Sequence, residues 1–168
     1  MVNPLVTFRT LVDNSVVALT GSHDTIAVDA KKVEEYMSKM KELTKGTDVE
    51  FNNTFRQFCK DRVFYAYEPI EYYNVESELY VPEIVECVLL SDDRVAMNIN
   101  GNVTIMFPEE NNKMYATKED AEASAKENAK DATSDYLDFL FNSRKELKAI
   151  LAELNTEIDR TLKFKKSL

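Results

Sequence analysis

A chain of 168 residues, 44% hydrophobic and 30% charged, is long enough to bury roughly 70% of the surface its unfolded form exposes, and its balance is globular rather than disordered. None of its apolar runs approaches the ~20 residues that span a bilayer, and Met1-Val2-Asn3-Pro4 lacks the basic and apolar regions of a secretory signal, so the expected location is the cytoplasm, with no membrane partner. A formal charge of −9 argues against direct nucleic-acid binding, because neutralising phosphates requires Lys and Arg.

In residues 5–28, Leu5, Phe8, Leu11 and Val12 fit either one face of a short helix, opened by Asn3 and Pro4, or an alternating strand. Residues 16–19 and 25–28 read as strands, separated by Thr20-Gly21-Ser22-His23-Asp24. Asp29 is the expected cap of a helix with Val33, Tyr36, Met37, Met40 and Leu43 on one face and Gly46 as its stop. Thr47 and Glu50 have the spacing of a capping box, ahead of Phe51, Phe55 and Phe58 at helical intervals. That aromatic stripe is expected to be core.

A β-rich section follows, with strands expected at 63–67, 72–81, 84–90, 95–99, 103–107 and 113–116. Asn100-Gly101 is its strongest hairpin signal. A two-residue loop pairs Ile99 with Asn102 and divides the apolar residues between two faces. A three-residue loop, Asn100-Gly101-Asn102, pairs Ile99 with Val103, Met97 with Ile105 and Val95 with Phe107, and gathers all six on one face. A one-residue slip reverses every side chain, so burial favours the three-residue loop, with Ala96, Asn98 and Thr104 exposed.

From Thr117 to the last residue there is neither Gly nor Pro. Thr117 and Asp120 open the segment as a variant capping box. Ala121, Ala125, Ala129, Ala132, Tyr136 and Leu140 begin a helical stripe that Leu147, Ile150, Leu151, Leu154, Ile158 and Leu162 extend. A continuous helix over 118–165 would measure about 72 Å, against a diameter of roughly 35 Å for a compact body of residues 1–117. Ser143 and Glu146 form another capping box, after Asn142, so a bend is expected at 141–145, with a single unbroken helix as the alternative. The fold class is therefore α+β: an antiparallel β-meander with two helices in the N-terminal half, forming a body over 1–117, and a helical segment over 118–168 that packs on the body or projects for oligomerisation.

Catalytic chemistry finds little support. His23 is the single histidine, and neighbouring Asp24 cannot easily orient its ring, so it reads as a polar turn residue. One His and the distant Cys59 and Cys87 do not make a zinc site, and both cysteines sit among apolar neighbours as small buried hydrophobes. Gly21, Gly46 and Gly101 are too scattered for a phosphate loop. The acid pairs Glu76/Glu78 and Asp92/Asp93 read as solvated surface rather than as a magnesium or glycosidase site. No catalytic residue, cofactor or metal is expected, and the protein reads as a non-enzyme. The basic cluster Arg160, Lys163, Lys165 and Lys166 complements the negative end of a helix dipole.

Charge is most uneven between Arg62 and Arg94, where eight acids occur without a single Lys or Arg. Such a surface attracts basic partners, and tyrosines add rigid contact area. Glu71, Tyr72, Tyr73, Glu76, Glu78, Tyr80, Glu83 and Glu86 are the expected partner-binding residues. The first expectation is an acidic protein-binding protein that occupies the basic surface of a nucleic-acid-binding partner, in the style of phage inhibitors of host enzymes. The second is a structural or assembly protein that forms a homo-oligomer through residues 137–162. There Leu137, Leu140, Leu147, Leu151, Leu154 and Ile158 fit a and d positions, and Arg144 and Thr161 interrupt them.

Overall fold

A computed structural model describes residues 1–11, 13–19, 23–70, 80–110 and 112–168, with backbone alone at positions 23 and 24. The chain divides into two compact units. The first holds residues 1–70 and 80–129, and the described part of the second is residues 130–168.

The first unit is an antiparallel sheet with helices, which makes the protein α+β. Its described strands are β1 (Val6–Thr10), β2 (Val16–Ala18), β3 (Phe64–Ala66), β4 (Val85–Leu89), β5 (Val95–Ile99), β6 (Asn102–Met106) and β7 (Lys113–Tyr115), in the spatial order β2-β1-β7-β3-β4-β5-β6. Of the residues that fitted either helix or strand, Phe8 lies in strand β1 and Leu5 and Leu11 flank it, while Val12 lies outside the described residues. The strand expected over 25–28 is corrected: a single helical turn, α1 (His23–Ile26), precedes Val28, which alone bridges to Leu90. Of the strand expected over 72–81, residues 72–79 lie outside the described residues, and Tyr80 and Val81 are not in a strand.

Asp29 caps α2 (Ala30–Leu43) by accepting from the backbone N–H groups of Lys31 (3.0 Å) and Lys32 (3.4 Å). Two of the helix's otherwise orphaned donors are satisfied in this way. The chain then turns through Lys45 and Gly46, both at positive φ, with Gly46 N–H bonded to Lys41 O at 2.7 Å. The cap of the next helix, α3 (Asn53–Phe58), is Asn52 and not Thr47. Asn52 Oδ1 accepts from Thr54 N–H (2.9 Å) and Phe55 N–H (3.2 Å). Residues 49–51 cannot be helical because they lie along the edge of β6, with Val103 N–H on Val49 O at 2.7 Å and Phe51 N–H on Gly101 O at 2.8 Å.

The β5–β6 hairpin departs from the expected register. Ile99 pairs with Asn102, Asn98 with Val103 and Met97 with Thr104, across a two-residue Asn100-Gly101 turn. Both turn residues have positive φ, 51° and 87°, as a type I′ turn requires. Burial does not forbid this, because both faces of the sheet carry buried side chains. One face gathers Val6, Phe8, Ala66, Cys87, Leu89, Val95 and Met114. The other sets Val88, Leu90, Ala96 and Val103 against Ala30, Val33, Phe51, Phe55 and Cys59. Val95 and Val103 are buried as expected, but Ala96 is fully buried too, while Ile99 and Phe107 are exposed, against the one-faced expectation. The aromatic stripe is core as expected, with Phe51 and Phe55 buried and Phe58 partly so.

Helix α4 (Lys118–Ser167) opens with Thr117 Oγ1 accepting from Asp120 N–H at 3.1 Å. Its first turns pack Ala121 and Ala125, both fully buried, against Tyr67 and Tyr115; residues this small let a helix lie close to a sheet. The helix then runs unbroken through Asn142 and Ser143, so the expected bend is absent. Keeping Asn and Ser in a helix costs at most about 0.7 kcal/mol each relative to Ala. A break would strand backbone donors and acceptors at two new ends and demand a fresh nucleation. Among the described residues no helix is long and apolar enough to cross a membrane.

Candidate interaction surfaces

Reactive groups are few. Burial pushes the Cys59 thiol up to about 12 and raises Cys87 as well, Glu86 adding to the second shift. The two thiols belong to opposite faces of the sheet and both are free. A thiol so shifted is a packing group, since the thiolate is the nucleophile. Tyr115 and Tyr67 share Ser124 Oγ at 2.6 and 2.9 Å, and burial is the main reason the Tyr115 hydroxyl rises to about 12. These hydroxyls satisfy one another beneath the first turns of α4. Among the described residues no group of three or more His, Cys, Asp or Glu side chains is placed to hold a metal.

The acidic stretch is only partly in view. Glu71, Tyr72, Tyr73, Glu76 and Glu78 lie outside the described residues, and Tyr80 and Glu83 are exposed. Glu86 is half-buried and already engaged: it accepts from Arg56 Nη2 at 2.6 and 2.7 Å and from Asn98 Nδ2 at 3.0 Å. Asp92 is likewise paired, with Arg94 Nη2 at 2.6 Å, while Arg94 also reaches Glu34 at 2.5 Å. Burial raises the Asp92 carboxyl, but its hydrogen bonds and ion pair with Arg94 outweigh that and hold it below the usual range. Bases from outside the stretch thus neutralise part of its charge.

What remains exposed frames a groove of about 450 Å³ lined from strands β3, β4, β5 and β6 and the segments beside them. Its apolar lining includes Val85, Met97, Ile99, Met106, Phe107 and Tyr80. Phe107 is 64% exposed and Tyr80 55%. Glu68, Glu83 and Glu109 also line it, and among the described residues no Lys or Arg does. Asn112 also lines it, and its buried Oδ1 has no hydrogen-bond partner among the described residues. Sequence reasoning placed Phe107 in the core and so missed the groove.

The second unit presents an apolar helix face. Leu147 is 66% exposed, Leu151 56%, Leu154 55% and Ile158 47%, and Phe139, Phe141 and Phe164 are also exposed. Thr161, which interrupts the repeat, donates its hydroxyl to Glu157 O at 2.8 Å and so carries its own partner. The positions named from sequence, 137 to 162, lie in this one continuous helix. Set against known protein families, curated proteins and solved structures, the chain matches none of them.

Proposed function

We propose that the protein is an assembly component that self-associates through the C-terminal half of α4. The observation that carries this is the stripe Leu147, Leu151, Leu154 and Ile158, each about half exposed or more on an unbroken helix. Contiguous exposed apolar surface of this kind marks an interaction site rather than an indifferent one. Helices draw most of their stability from packing an apolar face; a second copy supplies that packing, with a and d side chains entering the holes of the facing helix. The test is solution mass against concentration, for wild type and for Leu147→Glu with Leu154→Glu. Wild type is expected to be oligomeric and the double variant monomeric with its sheet intact. A wild type that stays monomeric at every accessible concentration overturns the proposal.

The groove supports a second reading, in which the protein binds a basic protein surface, such as that of a nucleic-acid-binding protein. Its acidic lining and the exposed Phe107 and Tyr80 favour a partner that offers Lys or Arg around an apolar tip. Electrostatic complementarity of this sort supplies specificity and fast association. Binding that survives reversal of Glu83 and Glu109 to Lys would remove this reading.

A further inference from the structure

Resting on the self-association proposed above, we infer that two copies of α4 pair antiparallel, in the register that sets Leu140 of one copy against Ile158 of the second and Leu147 against Leu151. Two independent features select it.

The first is the apolar repeat. Leu137 and Leu140 open an a and d series that Leu151 and Ile158 continue at a, and Leu147 and Leu154 at d. Antiparallel helices place a residues opposite d residues, so the permitted registers differ by whole heptads, a slide of about 10 Å.

The second is charge. Residues 131–138 carry Asp131, Asp135 and Asp138 and no base, whereas residues 160–166 carry Arg160, Lys163, Lys165 and Lys166 and no acid. In the same a and d frame Asp138 and Arg160 fall at b and c, and Asp135 and Lys163 at f, outside the seam. The named register brings the two blocks level along the axis without pairing their side chains, whereas Arg144, at a, would meet its own copy in a parallel pair. Sliding by one heptad takes the blocks out of step by about a Debye length at ~0.1 M salt. A parallel pair stacks the basic block on itself and the acidic block on itself, and sets like ends of the two helix dipoles together. The polar interruptions fit the antiparallel form. Arg144 faces Leu154, which its aliphatic stem can cover while its head reaches water, and Thr161, facing Leu137, already bonds its own helix.

Disulfide capture separates the arrangements. Leu140→Cys and Ile158→Cys are made in separate chains, mixed and oxidised. A disulfide needs Cα atoms about 4.4–6.8 Å apart, whereas in a parallel pair these two positions lie about 27 Å apart along the axis. The expected result is a covalent dimer containing one chain of each kind, with neither variant linking efficiently to itself. Buried Cys59 and Cys87 stay out of the reaction. Linking of Leu140→Cys chains to one another overturns the antiparallel inference while leaving self-association standing; monomeric wild type in sedimentation overturns both. Asp135→Lys with Asp138→Lys gives a second readout that needs no cross-link. It weakens association about two- to threefold at ~0.1 M salt if the acidic block lies level with the basic one and leaves it unchanged if acids lie level with acids, which again overturns the inference.

Discussion

Glu86 takes two hydrogen bonds from one guanidinium nitrogen of Arg56 and a third from Asn98. It sits in a stretch whose charge otherwise invites a partner, yet its own charge is answered within the fold. Its side chain is 24% exposed and that of Arg56 30%, so water screens the pair in part. Glu86→Gln is expected to lower stability by about 1–2 kcal/mol, and Glu83→Gln, at an exposed site, to stay within about 0.5 kcal/mol of wild type; urea midpoints check both. The thiols allow a pH prediction. Folded Cys59 holds its proton to about 12 because it is buried, and Cys87 and Tyr115 shift the same way. An unfolded thiol releases its proton near ~8.5. Between those values the unfolded state binds fewer protons, so stability is intact at neutral pH and falls as pH rises from about 9 toward 12. Urea midpoints measured across that window should decline, with a shallower slope in Cys59→Ala. Burial of both cysteines was readable from their apolar neighbours, Phe55, Phe58 and Val63 for one and Val85, Val88 and Leu89 for the other. The engagement of Glu86 was not, because its partner lies thirty positions away on α3.

At the scale of elements, caps and periodicity carried most of what was legible. Asp29 and Thr117 are local signals, each acting on backbone within its own first turn, and both open the helices expected of them. The hairpin register is a different kind of fact. Counting apolar residues onto one face assumes that the other face meets water, whereas α2 and α3 cover it, and nothing within residues 95–107 reports on them. The turn dipeptide was the better guide, because Asn100 and Gly101 adopt the positive φ values that a two-residue loop demands. Gly101→Ala tests this. A Cβ at position 101 meets nothing within 4 Å, so the expected loss of about 1–2 kcal/mol is backbone strain alone, read as a lower thermal midpoint with an unchanged fold. The capping box at Ser143 misled for a related reason. A cap lowers the cost of starting a helix where one starts, but without Gly or Pro it does not supply the break.

At the scale of the molecule two surfaces compete for the functional assignment, and they differ in how they should respond to salt. The α4 stripe was visible in sequence because its side chains recur along one element. The groove was not, since it needs Met97 and Met106 from adjacent strands, Asn112 from beyond them and Tyr80 from before them, a juxtaposition that only the sheet creates. Apolar pairing along α4 should strengthen or hold as salt rises, apart from its end charges. Capture of a basic partner by the groove should weaken, because screening shortens from about 10 Å at ~0.1 M to about 3 Å at ~1 M. A lysine-rich peptide with an aromatic tip is a suitable probe, titrated by calorimetry into wild type, into Glu83→Lys with Glu109→Lys, and into Phe107→Ala. Charge reversal is expected to abolish the salt dependence along with most of the affinity, without moving the urea midpoint, since both acids are exposed. Truncating Phe107 removes apolar contact, so its loss should be similar at low and high salt, about 1–2 kcal/mol for a half-buried ring in the complex. Affinity that ignores salt, or that ignores Phe107, would reduce the acidic groove to solvated surface and leave the helix stripe as the protein's interaction site.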